Sequence, residues 1–136
     1  MTVNPKWATY DLLENQGSTF ALRNGATAWY QGLGDGSDGL RIERTFNAKR
    51  LWWSVHVTVV PLSQPQFVRL RVYKNGLSNV IYQTSLSLAT VGWRQGDDVH
   101  DETLIPGDFI IVEVALPGPP NQTVENIAPH LEGYYV

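Results

Sequence analysis

Apolar residues along most of this chain recur at every second position, in short runs bounded by Gly, Pro, Asn and Asp. No stretch sustains a helical period of about 3.6 residues for about three turns, so the pattern predicts strands and turns. The clearest strand spans residues 50–60. Leu51, Trp53, Val55, Val57 and Val59 share one face, Trp52, Ser54, His56 and Thr58 share the other, and Pro61 ends the run because it lacks a ladder donor. A second strand at 67–74 turns Val68, Leu70 and Val72 inward and Arg69, Arg71 and Tyr73 outward. Asn75-Gly76 then signals a hairpin that returns through 79–88, where Val80, Tyr82, Thr84, Leu86 and Leu88 alternate with Ile81, Gln83, Ser85 and Ser87. Pro106-Gly107-Asp108 reads as a tight turn launching 109–116, with Ile110, Val112, Val114 and Leu116 opposite Phe109, Ile111 and Glu113. Pro117-Gly118-Pro119-Pro120 stops it. If this strand lies beside 67–74, Glu113 pairs with Arg69 or Arg71 across the sheet, for roughly 0.2 to 1 kcal/mol, as an aid to register.

Shorter strands are expected at 19–22, 26–30, 40–46, 102–105 and 131–136. The total of about eight to ten strands predicts an all-β fold, an antiparallel two-sheet jelly-roll sandwich whose edges are closed or covered. Residues 1–17, with Pro5, Asn15 and Gly17, are expected to form an extended N-terminal arm, and 18–136 a single jelly-roll domain. A chain of 136 residues falls within the range of one domain that is stable without disulfides or metals.

A hydrophobic fraction of 43% with 17% charged residues excludes the signature of a disordered chain. Ten basic against thirteen acidic side chains give a net charge of −3, and the basic residues are scattered, so no cationic stripe is available to a phosphate backbone. Nucleic acid is therefore not an expected partner. The absence of cysteine removes disulfides, thiolate nucleophiles and cysteine zinc sites. The opening residues lack the basic start and apolar run of a secretory signal, and no window reaches the roughly 18 apolar residues of a membrane span. The chain is expected to be soluble, made in a cytoplasm, with no membrane partner. The sequon Asn121-Gln122-Thr123 reads as a chance match in a loop.

Candidate chemistry is sparse. The chain has no nucleophile elbow, no HExxH, no phosphate loop and no cysteine nucleophile, so neither an enzyme nor a cofactor is expected. Gly34, Gly36 and Gly39 match a dinucleotide fingerprint only nominally, because a strand rather than a helix follows. Asp35, Ser37 and Asp38 lack the spacing of a calcium loop. Asp97, Asp98, Asp101 and Glu102 read as a solvated loop, with metal or partner binding as the alternative. His100 and His130 have no metal-ligand spacing. Trp52 stands out, since Trp53 already supplies the core-facing ring and alternation sends Trp52 the other way. Three readings stay open for it: cover by a loop or the arm, a subunit or partner interface, and stacking on a glycan. His56 shares its face. Trp7, Trp29, Tyr30 and Trp93 fall in or near expected loops and rims, where they either anchor loops on the sandwich or meet a partner or sugar ring.

Several segments resemble the tumour-necrosis-factor and complement-head type of jelly roll, as it recurs in virion proteins and tail-fibre tips of bacteriophages. They are residues 21–27 (Ala-Leu-Arg-Asn-Gly-Ala-Thr), 40–46 (Leu-Arg-Ile-Glu-Arg-Thr-Phe) before the long strand, 70–76 (Leu-Arg-Val-Tyr-Lys-Asn-Gly), 104–109 (Leu-Ile-Pro-Gly-Asp-Phe) before Val112-Glu113-Val114, and the closing 132–136 (Glu-Gly-Tyr-Tyr-Val). Asn47-Ala48-Lys49-Arg50 and the Trp52-Trp53 pair depart from the family's small-residue turn. The resemblance implies a homotrimer packed through the outer side of one sheet, with Trp52, His56 and Tyr134 at the interface. The function it implies is a viral structural protein of the capsid decoration or cement kind, located in the virion and bound to a major capsid or other virion protein. The alternative is a receptor- or carbohydrate-binding head that meets a host glycan.

Overall fold

The computed structural model describes residues 6–12, 22–23, 27–31, 40–60, 67–116 and 123–136. The glycine-rich stretch at 32–39, Pro61, the prolines of 117–120 and the sequon residue Asn121 lie outside them. Every regular element among the described residues is a strand: β1 (Lys6–Asp11), β2 (Leu22–Arg23), β3 (Thr27–Gln31), β4 (Leu40–Arg41), β5 (Phe46–Val59), β6 (Phe67–Lys74), β7 (Val80–Ser87), β8 (Gly92–Leu104), β9 (Phe109–Leu116) and β10 (Thr123–Tyr135). They form two antiparallel sheets. Sheet A runs β1-β10-β5-β8, with β2 also on β10, and sheet B runs β3-β9-β6-β7, with β4 also on β9. The chain crosses between the sheets from β2 to β3, β4 to β5, β5 to β6, β7 to β8, β8 to β9 and β9 to β10, which makes the sandwich a jelly roll.

The alternation that predicted β5 fills the space between the sheets. Phe46, Leu51, Trp53, Val55 and Val57 from β5 meet Val68, Leu70 and Val72 from β6 and Ile110, Val112 and Val114 from β9, all essentially inaccessible to solvent. Each such aliphatic side chain contributes roughly 1.5 to 3 kcal/mol relative to exposure. The hairpin between β6 and β7 forms at Asn75-Gly76, both with positive φ (61° and 140°), a conformation Asn tolerates and Gly adopts freely. Asn75 also ties this turn to the one before β9. Its Nδ2 donates to Asp108 Oδ1 at 2.9 Å, its Oδ1 accepts from the Phe109 N–H at 2.9 Å, and Asp108 Oδ2 accepts the Ile105 N–H at 2.9 Å. The Asn75 and Ile105 hydrogen bonds hold the Asp108 carboxyl below the usual range.

β9 does lie beside β6: register places Arg71 opposite Glu113, and Arg69 Nη2 donates to Glu113 Oε1 at 3.2 Å, the pairing expected for neighbouring strands. One feature differs from the expectation of an exposed pair: Glu113 is buried, as are Tyr73, Ile111 and Ala115 on the same face. Sheet B is thus covered on both sides along β9. A bulge between Val72 and Tyr73 also shifts the start of β7, so Ile81 is buried and Val80 exposed.

Residues 6–11, expected within an extended arm, are the outer strand of sheet A. Lys6 to Asp11 pair with Tyr135 to His130 of β10, Ala8 and Tyr10 pack against the core, and Leu12 is buried in it. The Tyr10 hydroxyl hydrogen-bonds the Tyr135 hydroxyl, and both rings meet Phe46 edge-on. β10 is also longer than the expected 131–136 and contains Pro129 in mid-strand. The Leu12 N–H donates to the Pro129 carbonyl, so the proline's missing N–H faces the end of β1 and costs no bond to β5.

Candidate functional site

The outer face of sheet A is built in rows by the backbone register. Trp7, Tyr134, Asn47 and Thr103 stand side by side across the four strands, followed by Thr9, Glu132, Arg50 and Val99, then Asp11, His130, Trp52 and Asp97. Two further rows, Ala128-Ser54-Gln95 and Glu125-His56-Trp93, complete it. The three residues expected at an oligomer interface, Trp52, His56 and Tyr134, therefore share one face. Trp7 and Trp93, expected at rims, lie on the same face, at its two edge strands. Trp29 and Tyr30 do not: they sit on β3 in sheet B, paired with Val114 and Glu113.

Aromatic and imidazole rings pair across this face. Trp52 stacks on His130 with centroids 4.4 Å apart, His56 stacks on Trp93 at 4.7 Å, and Trp7 meets Tyr134 edge-on at 5.5 Å. The charges between them are matched locally. Arg50 Nε lies 2.9 Å from Glu132 Oε1 and Arg50 Nη1 3.8 Å from Asp97 Oδ2, while Lys49 Nζ lies 3.0 Å from Asp101 Oδ2. Trp52 Nε1 donates to Glu132 Oε2 at 3.1 Å, and the Arg50 guanidinium lies 5.9 Å from the Trp52 ring centre. Trp52 is consequently engaged by its own chain on one face and at its N–H. Trp7 and Trp93, by contrast, keep 67% and 59% of their surface exposed, and Val99 keeps 67%. An open depression of about 400 Å³ lies beside Trp52, lined by Arg50, Gln95, Gly96 and Asp97.

A β-bulge makes this arrangement possible. Lys49 is an extra residue of β5 against β10, because Arg50 pairs with Glu132 and Ala48 with Gly133. The bulge brings Lys49 and Arg50 both to the outer face, one toward Tyr134 and Asp101, the other toward Glu132 and Asp97.

The acidic cluster expected in a loop lies instead on β8, an edge strand of thirteen residues. Its outward residues are exposed and its inward ones, Arg94, Asp98, His100 and Glu102, are half-buried at the open seam facing β7. With neither face apolar, hydrophobic periodicity has nothing to register. His100 stacks on Tyr82 at 4.3 Å and sits 3.1 Å from Asp98 and 3.4 Å from Glu102, and the Tyr82 hydroxyl donates to the His100 carbonyl at 2.8 Å. The Gln83 N–H donates to Asp98 Oδ2 at 2.9 Å, so this cluster links the two sheets. Among the described residues no three His, Asp or Glu side chains are arranged to hold a metal ion.

Desolvation lowers the pKa of His100, but its hydrogen bond to Asp98 and the charges of Asp98 and Glu102 outweigh it, and the net shift is upward from 6.5. A raised folded-state value means that the stabilisation is fully present below the unfolded value and is lost as pH rises through the folded one. The melting-temperature difference between wild type and His100→Gln should therefore be largest near pH 6 and shrink by pH 9. A difference independent of pH would show that the charge contributes nothing.

No protein-family model matches the chain, and no curated protein matches its sequence. Among solved structures it is similar to Bacillus endospore appendages described as disulfide-linked pili, at 11% identity over 98% of this chain and 93% of that one, with a TM-score of 0.42. It is also similar to a CBM22 xylan-binding domain from Paenibacillus barcinonensis, at 11% identity over 96% and 86% of the two chains, with a TM-score of 0.41. Both are likenesses in chain course alone.

Proposed function

We propose that this chain is a structural, non-enzymatic virion protein of the capsid decoration or cement kind, and that it assembles as a homotrimer through the outer face of sheet A. The observation that carries the reading is the contrast between the two sheets. Sheet B is covered on both faces along β9, whereas sheet A leaves Trp7, Trp93 and Val99 well over half exposed on one continuous face. Large exposed aromatics on a face with locally matched charges fit a contact between proteins, where aromatics are enriched and unpaired charge is depleted. The resemblance of the segments at 40–46, 70–76, 104–109 and 132–136 to virion jelly rolls supports the setting, with a major capsid or other virion protein as partner. In this reading the protein works by binding, at the virion, with no cofactor.

Light scattering at several concentrations tests the assembly, for which a mass three times that of the chain is expected. Trp52→Ala removes the ring that braces His130 and walls the depression, and should weaken the trimer by about 2 kcal/mol, as truncation of a central anchor does. A monomeric wild type at all concentrations would refute the reading. Retention by empty capsids supports decoration, while retention by host envelope glycans alone supports the second reading, a carbohydrate- or receptor-binding head. One observation favours that alternative: Trp93 stacks one ring face on His56 and keeps 59% of its surface exposed, an arrangement suited to a sugar ring.

A further inference from the structure

Trp7 and the depression beside Trp52 lie on one face but at different places. Trp7 stands on the outermost strand β1, in the row of Tyr134 and Asn47, while the depression lies between β5 and β8, in the rows of Trp52 and Gln95. Four residues of β10, from Tyr134 to His130, and about two and a half strand spacings separate them, which is roughly 18 Å at ordinary sheet dimensions. Trp7 is too far from the depression of its own chain to fill it.

The two are chemically matched. Trp7 projects an indole that is 67% exposed and touches Tyr134 only edge-on. The depression, at about 400 Å³, has room for an indole. Arg50, with 39% of its side chain exposed, offers a guanidinium to the ring's π face, and Trp52 forms an aromatic wall. Asp97, with 50% of its side chain exposed, and Gln95 offer oxygens to the indole N–H. Gly96 contributes only backbone to the floor.

We propose that Trp7 of one copy of this chain seats in the Arg50-Trp52-Gln95-Gly96-Asp97 depression of the next, and that this head-to-tail contact closes the ring. The inference rests on the self-assembly reading above and gives it a geometry. A contact between two different patches of the same molecule is what a heterologous ring requires. The contact also accounts for an exposed tryptophan on β1, which among the described residues is the outermost strand of its sheet, because assembly covers the ring.

The test uses two variants that fail in opposite ways. Trp7→Ala removes the knob and keeps the depression, and Gln95→Trp fills the depression and keeps the knob. Both positions are exposed, so each variant should fold, which near-ultraviolet circular dichroism and thermal unfolding check. Each alone should be monomeric by light scattering at concentrations where wild type is trimeric, with association weakened at least about 30-fold, the equivalent of losing one anchor residue. Mixed together, they should form a one-to-one pair, because the knob of Gln95→Trp fits the intact depression of Trp7→Ala. A Trp7→Ala protein that still assembles like wild type overturns the proposal and leaves the self-assembly reading standing, and so does a mixture that stays monomeric. A monomeric wild type overturns both.

Discussion

Gly133→Ala is expected to abolish stable folding or to lower stability by more than about 3 kcal/mol, beyond the usual cost of overpacking, because the obstruction is backbone. A Cβ at position 133 would lie 2.0 Å from the Asn47 carbonyl oxygen and 2.8 Å from the Ala48 Cα, and neither atom can rotate away. The glycine is what lets β10 press against β5 where Lys49 bulges, so the substitution must either push the central strands apart or erase the bulge. Gly96 provides the comparison. A Cβ there would meet the end of Leu86 at 2.7 Å and Thr84 Oγ1 at 3.3 Å, side-chain atoms that can move, so Gly96→Ala should cost only about 1 to 2 kcal/mol. The measurement is the urea midpoint of each variant at unchanged m-value. If Gly133→Ala unfolds at nearly the wild-type midpoint, the two strands do not approach as closely as this register requires. The loss should also reach the outer face, since the bulge sets Lys49 toward Asp101 and Arg50 toward Glu132.

Hydrophobic alternation found the strands that build the core and was blind to those that do not. β6 and β9 have the residue limits the pattern predicts, and β5 begins four residues earlier, at Phe46, because the bulge at Lys49 interrupts the period and hides the first part of the strand. Of β8 only the last residues fell within the strand expected at 102–105, and the rest escaped because it is an outer strand whose inward positions are polar and whose outward ones meet solvent. Pro129 concealed the first half of β10, since a proline argues against a central strand unless its nitrogen faces a gap, and only the pairing of Leu12 shows that it does. The candidate site was legible to the same degree. Alternation alone puts Trp52 and His56 on the face away from the core, while Tyr134 came from the family resemblance. His130, Glu132, Arg50 and Asp97 were not joined to Trp52, because their placement beside it depends on which strands are neighbours and in what register, and period-two patterning carries neither. Trp7 and Trp93 were singled out as aromatic rim residues, and it is their strands' membership of sheet A that joins them to Trp52.

The pairing of Glu113 with Arg69 and Arg71 predicts an asymmetry that separates register from stability. Glu113 keeps 4% of its side chain exposed while each arginine keeps 30%, and Arg69 Nη2 and Arg71 Nη1 lie 3.2 and 3.9 Å from the same carboxylate oxygen. Removing both arginines leaves a carboxylate buried with no countercharge, so Arg69→Ala with Arg71→Ala should cost about 3 to 5 kcal/mol. Glu113→Leu should cost much less, on the order of 1 kcal/mol, because the arginines can turn toward water and a leucine fills the space beside Tyr73 and Ala115. The Arg71 Nε bond to Gln83 Oε1 at 2.8 Å survives that change and holds one guanidinium in place. Combining all three substitutions should then recover most of the loss of the double arginine variant, a large favourable coupling in a mutant cycle. Equal costs for the arginine pair and for Glu113→Leu would mean that the carboxylate finds solvent despite its position, and that the trio does no more than the roughly 0.2 to 1 kcal/mol of an exposed cross-strand pair.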